Sequence, residues 1–118
     1  MRDHNKLKAF ELADEVVVLI YRVTVRFPKE EMYGLTSQMR RAAVSVPSNI
    51  VQGSARNSQP EYLRFLEIAF GSLRELKYQY GLAYRLGYIK QQNSTGCKFK
   101  IEETERVLAG LIRSLRKT

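Results

Sequence analysis

Through four long stretches of this chain, apolar residues recur at alternating intervals of three and four. That rhythm fits a helix turning every 3.6 residues, which lines such positions along one stripe. The first stretch carries Phe10, Ala13, Val17, Ile20 and Thr24, and the second Leu35, Met39, Ala42, Val46, Asn49 and Gly53. The third is unbroken from Tyr62 through Leu66, Ala69, Leu73, Leu76 and Tyr80 to Ala83, and the fourth runs Cys97, Ile101, Thr104, Leu108, Leu111, Leu115. Turn residues separate them: Phe27-Pro28 with Gly34, then Gly53 to Pro60, then Gly87 to Gly96.

Local signals set the ends. The β-branched run Val16 to Tyr21 would suit a buried strand, but Leu7 to Glu15 before it is rich in helix formers and keeps the same phase. Pro28 disfavours the helical conformation at Phe27 and stops the first helix near Arg26. Ser58-Gln59-Pro60-Glu61 reads as a capping box with proline in the first turn, and Gly87 supplies a left-handed cap at the other end. Asn93, Ser94 or Thr95 is the expected cap of the last helix. Pro47 breaks the pattern of the second: it lacks an N–H and clashes with the carbonyl of Ala43, at about 3 kcal/mol, so a kinked helix or two short ones is expected. Gly71 and Gly81, inside the third helix, suggest a neighbouring backbone that approaches closely.

The prediction is an all-α chain, one domain over residues 1–118, with helices at about 6–26, 35–56, 59–86 and 94–116. Short connections favour an antiparallel up-and-down four-helix bundle, with the second helix kinked at Pro47. More apolar surface remains than one bundle needs. Leu12, Val16, Leu19 and Val23 form a second seam about 100° round the first helix, and Val44, Val51 and Ala55 a smaller one on the second. These seams predict a homo-oligomer contact; the other possibility is a wide core within one subunit.

Charge and residue types restrict function. Twenty Lys and Arg against twelve Asp and Glu give +8, which favours polyanionic partners through counterion release. Residues 1–34 are neutral, with six charges of each sign, so the excess begins at the second helix. No apolar run approaches the ~20 residues a bilayer requires, and the N-terminus lacks the apolar core of a secretory signal, so a cytoplasmic protein is expected. Cys97 is the sole cysteine and His4 the sole histidine. That leaves no disulfide, no cysteine-rich metal site, no Glu-x-x-His di-iron pair and no nucleophile–base constellation, and no phosphate-binding glycine loop occurs. Neither an enzyme nor a cofactor is expected. The acids mostly lie beside bases at helical spacing, as solvated pairs do.

Two basic features suit phosphate. Arg40 and Arg41 share an acid-free segment with Arg56, about 24 Å further along a helical axis. Arg74, Lys77, Tyr78, Tyr84, Arg85 and Tyr88 form a stripe in which bases alternate with aromatics, as stacking on unpaired nucleotides would use. The stripe could equally be a subunit interface. The arginine pair could be a solvated face, or one member could form a buried salt bridge to Glu75.

Phe27-Pro28-Lys29-Glu30, followed by Gly34 to Ile50 (GLTSQMRRAAVSVPSNI), resembles the 23S rRNA-intervening-sequence proteins. The similarity continues through Gly53, Arg56, Ser58, Glu61, Phe65-Leu66, Ala69, Gly71-Ser72-Leu73, Glu75 and Leu86-Gly87-Tyr88. It covers Leu7 to Tyr88, while the last helix agrees only in pattern. Phe10 stands where that family usually has Trp, and Val51-Gln52 where Ala-Glu is common, so a carboxylate that could hold an arginine is missing here. The resemblance implies a four-helix bundle, often pentameric, that binds without catalysing, related to the basic accessory protein of diversity-generating retroelements. Two functions follow as expectations. One is an oligomeric nucleic-acid-binding protein, preferring RNA such as ribosomal RNA or its inserted segment, with Arg40, Arg41, Arg56, Arg74, Lys77 and Arg85 on phosphate. The other is a scaffold for a protein partner such as a reverse transcriptase.

Overall fold

The computed structural model describes residues 2–91 and 96–117. Four helices make up the fold: α1 (Lys8–Thr24), α2 (Leu35–Ser54), α3 (Gln59–Arg85) and α4 (Cys97–Arg116). Single 3-10 turns at His4–Lys6 and Lys29–Glu31 lead into α1 and α2. Each helix packs on its sequence neighbours and α4 closes back on α1, while the diagonal pairs do not approach. The bundle is therefore up-down-up-down, in an envelope of 45 × 24 × 20 Å.

The helix ends follow local chemistry. Ser58 Oγ accepts the N–H of Glu61 at 3.2 Å, so the Ser58 cap forms, while the Glu61 carboxylate accepts the Ser58 hydroxyl and not the Ser58 N–H that a full capping box would use. At the far end Gly87 takes φ 82°; Tyr88 N–H donates to the Ala83 carbonyl and Gly87 N–H to that of Tyr84. That double closure is a Schellman motif. The expected cap of α4 at Asn93, Ser94 or Thr95 lies outside the described residues; Gly96, at φ 75°, precedes its first turn. α2 is one helix through the buried Pro47, not two short ones.

The core is wider than the four single stripes. α1 buries Ala9, Leu12, Ala13, Val16 and Ile20 and packs against both α2 and α4. A helix at the corner of a bundle needs an apolar arc of at least about 100° to meet two neighbours. The second seam of α1 supplies that arc. At the end of α4 the buried position passes to Ile112, with Leu111 and Leu115 part-buried. The spacing is explained by phase drift, since 3.6 residues per turn outruns a strict seven-residue repeat. Buried hydroxyls are satisfied locally: Thr24, Ser54 and Thr104 donate to the carbonyls of Ile20, Ile50 and Lys100 at 2.7–2.8 Å.

The glycines correct one expectation. A Cβ on Gly71 or Gly81 would meet nothing within 4 Å, so neither marks a close helix contact. The tight crossing is at Gly53, where a Cβ would lie 2.8 Å from Phe65 Cβ and 3.3 Å from the Tyr62 ring. There the end of α2 meets the first turns of α3.

Candidate nucleic-acid interface

Arg40 and Arg41 are successive on α2, so helical geometry sends them to different neighbours. Arg40 reaches the end of α1, donating from Nε to Thr24 Oγ1 at 2.8 Å and from a terminal nitrogen to the Tyr21 carbonyl at 3.3 Å. Its guanidinium lies over the Tyr21 ring, 4.5 Å from the centroid. The last carbonyls of a helix have no intrahelical donors and carry partial negative charge, so Arg40 acts as a C-terminal plug on α1. Arg41 turns the other way, to Glu75 on α3 at 2.8 Å and to the Gln38 side-chain oxygen at 2.9 Å. The expected pairing of one arginine with Glu75 is thus found on Arg41, at the surface and not in the core.

The α3 stripe divides in two. Arg74 and Lys77 both engage Glu105 of α4, at 2.8 and 3.2 Å, and Lys77 also approaches Glu102 at 3.9 Å. These two cations clasp α3 to α4. Further along, Arg85 has only the Tyr78 ring, 5.9 Å away, and Tyr78 and Tyr84 are exposed. Tyr88 leaves the stripe altogether: its hydroxyl donates to Glu31 Oε2 at 2.8 Å and its ring tilts against Phe27. Arg56 lies just past α2, at the opposite end of the bundle from Arg85, with its guanidinium over the Phe65 ring. The six predicted basic residues therefore do not form one surface. Among the described residues, Arg56 and Arg85 have no carboxylate partner, and Arg41 is exposed despite having one.

The predicted oligomer faces also need correction. Leu12 and Val16 are each 1% exposed, and Leu19 and Val23 pack part-buried on the same core. Covered within their own chain, Leu12 and Val16 cannot meet a second subunit; their seam is the one α1 spends on its two neighbours. Val44 and Val51 do face outward, at 39% and 37%. Near Val44 the loop before α2 exposes Met32 and Tyr33, and with Tyr21 they line a groove along Arg40 and Arg41. Met32 and Tyr33 fall outside any helical stripe, so periodicity carried no sign of them.

Sequence reasoning also passed over Arg22, Arg26 and Lys90, which form no ion pair with a described residue. Their signal was partial. Arg22 and Arg26 are four apart, but the balanced charge of the first 34 residues concealed that Glu15 and Glu31 are engaged elsewhere, by Lys100 and by Tyr88 with Leu35.

Among the described residues, no group of three or more His, Cys, Asp or Glu could hold a metal ion. Burial pushes the Cys97 thiol up to about 12, which keeps it protonated and unreactive. No described helix is long and apolar enough to cross a membrane.

Comparison with known proteins places this geometry. A family model described as 23S rRNA-intervening sequence protein matches residues 5–110. Among solved structures, a protein of unknown function from the S23 ribosomal protein family of Bacteroides thetaiotaomicron superposes with a TM-score of 0.79. It is 20% identical, and the match covers 89% of this chain and 95% of that one, so what it shares is the fold. Among curated proteins none matches.

Proposed function

The chain belongs to the 23S rRNA-intervening sequence protein family, and from that premise we propose that it is a non-catalytic, oligomeric RNA-binding protein whose target is ribosomal RNA or the segment inserted in it. The observation that carries this reading is positive charge without counter-charge. The chain carries +8, and among the described residues Arg22, Arg26, Arg56, Arg64, Arg85 and Lys90 form no ion pair. Cations held on rigid helices and their ends track a polyphosphate backbone at little entropic cost. The family's name ties its members to 23S rRNA, which favours RNA over DNA.

Of the predicted contacts, Arg56 and Arg85 are free to reach phosphate and Arg41 can do so by exchanging Glu75, whereas Arg40, Arg74 and Lys77 hold helices together. Oligomerisation uses the outward strip of Val44, Val51, Met32 and Tyr33, and a pentamer is the assembly the family resemblance implies.

Retention of a labelled 23S rRNA fragment by the purified protein tests this reading. Tight retention is expected at roughly 50 mM salt, weakened in Arg56→Glu with Arg85→Glu while the thermal midpoint holds. Absence of retention by the wild-type protein would refute it. The exposed Tyr33 and Met32 support a second reading, a scaffold for a protein partner. Co-purification that survives nuclease treatment selects the scaffold; co-purification abolished by nuclease selects RNA.

A further inference from the structure

Three cations left without a partner converge on one cavity at the end of the bundle. Arg22 lies in the last turn of α1 and Arg26 just beyond its end, and both border the same cavity. Lys90 comes from the segment that follows the Schellman end of α3. With Val23, Tyr88, Ile89 and Gln91 they line a cavity of about 430 Å³ whose described wall holds no acidic residue.

Two of the acids nearby are committed: Glu31 accepts from Tyr88 and from the Leu35 N–H, and Glu15 accepts from Lys100. Glu30 carries its charge near Tyr88 without an ion pair among the described residues. Asp14 borders a neighbouring cavity that Arg22 also reaches. The C-terminus of α1 presents about half a negative charge, which one cation already balances, so three cations there exceed any capping need. Tyr88 is a fixed wall, anchored through its hydroxyl at 2.8 Å and its ring against Phe27 with centroids 5.4 Å apart.

We propose that this cavity seats a phosphodiester of single-stranded RNA: Arg22, Arg26 and Lys90 take the phosphate oxygens, and the adjoining nucleoside lies against Tyr88 and Ile89. The volume falls in the range of about 300–1,000 Å³ that holds small ligands, more than a bare phosphate fills, and its apolar wall of Val23, Tyr88 and Ile89 suits a ribose or a base. This inference rests on the RNA reading and locates it at residues the basic stripe did not include.

Fluorescence anisotropy with a labelled mixed-sequence single-stranded RNA oligonucleotide tests it. Arg22→Gln with Arg26→Gln should weaken binding about tenfold or more, and Lys90→Gln, which touches no helix end, should weaken it in the same direction. The control is Arg106→Gln with Arg113→Gln on α4, which removes the same net charge away from the cavity. If the cavity variants lose no more affinity than this control, with thermal midpoints unchanged, the seat is wrong while the RNA reading stands. If the wild-type protein ignores RNA, the RNA reading itself falls. Vesicles containing phosphatidylglycerol form a second arm: a loss confined to vesicle binding in the cavity variants overturns the RNA assignment in favour of a lipid headgroup.

Discussion

Glu31 does more for this fold than any sequence rule assigned to it. One carboxylate oxygen accepts the Leu35 N–H at 3.0 Å and so caps α2 from four residues upstream, while the other accepts the Tyr88 hydroxyl and ties the end of α3 to the same corner. Gly34 leaves room for this, since a Cβ there would lie 2.7 Å from Glu31 Oε1. The Leu35 bond first, and then Tyr88, hold the Glu31 carboxyl below its ordinary value of 4.5. A lowered folded pKa means that the ionised form favours folding, so the stabilisation is full at neutral pH and disappears as pH falls through the folded value. The thermal midpoint of the wild type should therefore exceed that of Glu31→Gln at neutral pH, with the gap closing below pH 4.5. A gap that stays constant with pH would remove the charge from this account. The glycines give a second residue-scale test. Gly53→Ala should destabilise by about 1–3 kcal/mol because the methyl meets Phe65, and Gly71→Ala should stabilise by about 0.5–1 kcal/mol because nothing opposes it. Urea midpoints read both. Spacing could flag a glycine in a helix, but only the crossing partner decides which one is indispensable.

The existence and order of the helices were legible because each rests on local signals: an apolar rhythm, the Ser58 capping box, the left-handed Gly87. The fate of individual faces was not. Leu12 and Val16 read as surplus because periodicity counts stripes without knowing how many neighbours a helix has, and α1 has two. Arginines proved ambiguous for the same reason, since Arg40 and Arg41 are adjacent in sequence yet serve different helices. Arg40→Gln should cost about 1 kcal/mol through loss of the α1 plug and the Tyr21 contact, whereas Arg41→Gln, which loses an exposed ion pair, should cost less than about 0.5 kcal/mol. Equal urea midpoints for the two variants would remove the plug from the account. An RNA-binding loss in an Arg40 variant therefore has to be read against its stability. Ser58→Ala should cost about 1 kcal/mol, measured the same way.

At the scale of the whole molecule, the neutral first 34 residues show why a charge sum misleads. Two of their six acids, Glu15 and Glu31, are taken up by α4 and by α2 with Tyr88, and Arg22 and Arg26 are left facing a cavity that Lys90 completes from far along the chain. A family resemblance could anticipate the bundle, but not which cations the folded chain neutralises. Among those left over, Arg56 and Arg64 lie near one end of the bundle and Arg22, Arg26, Arg85 and Lys90 near the other. The most direct measurement is the affinity for single-stranded RNA across a salt series. Contacts made by four or more of these cations predict a linear fall of log K with log salt, with a slope of about −3 or steeper at roughly 0.7 per phosphate. A slope near zero, or no binding in dilute buffer, would contradict the account.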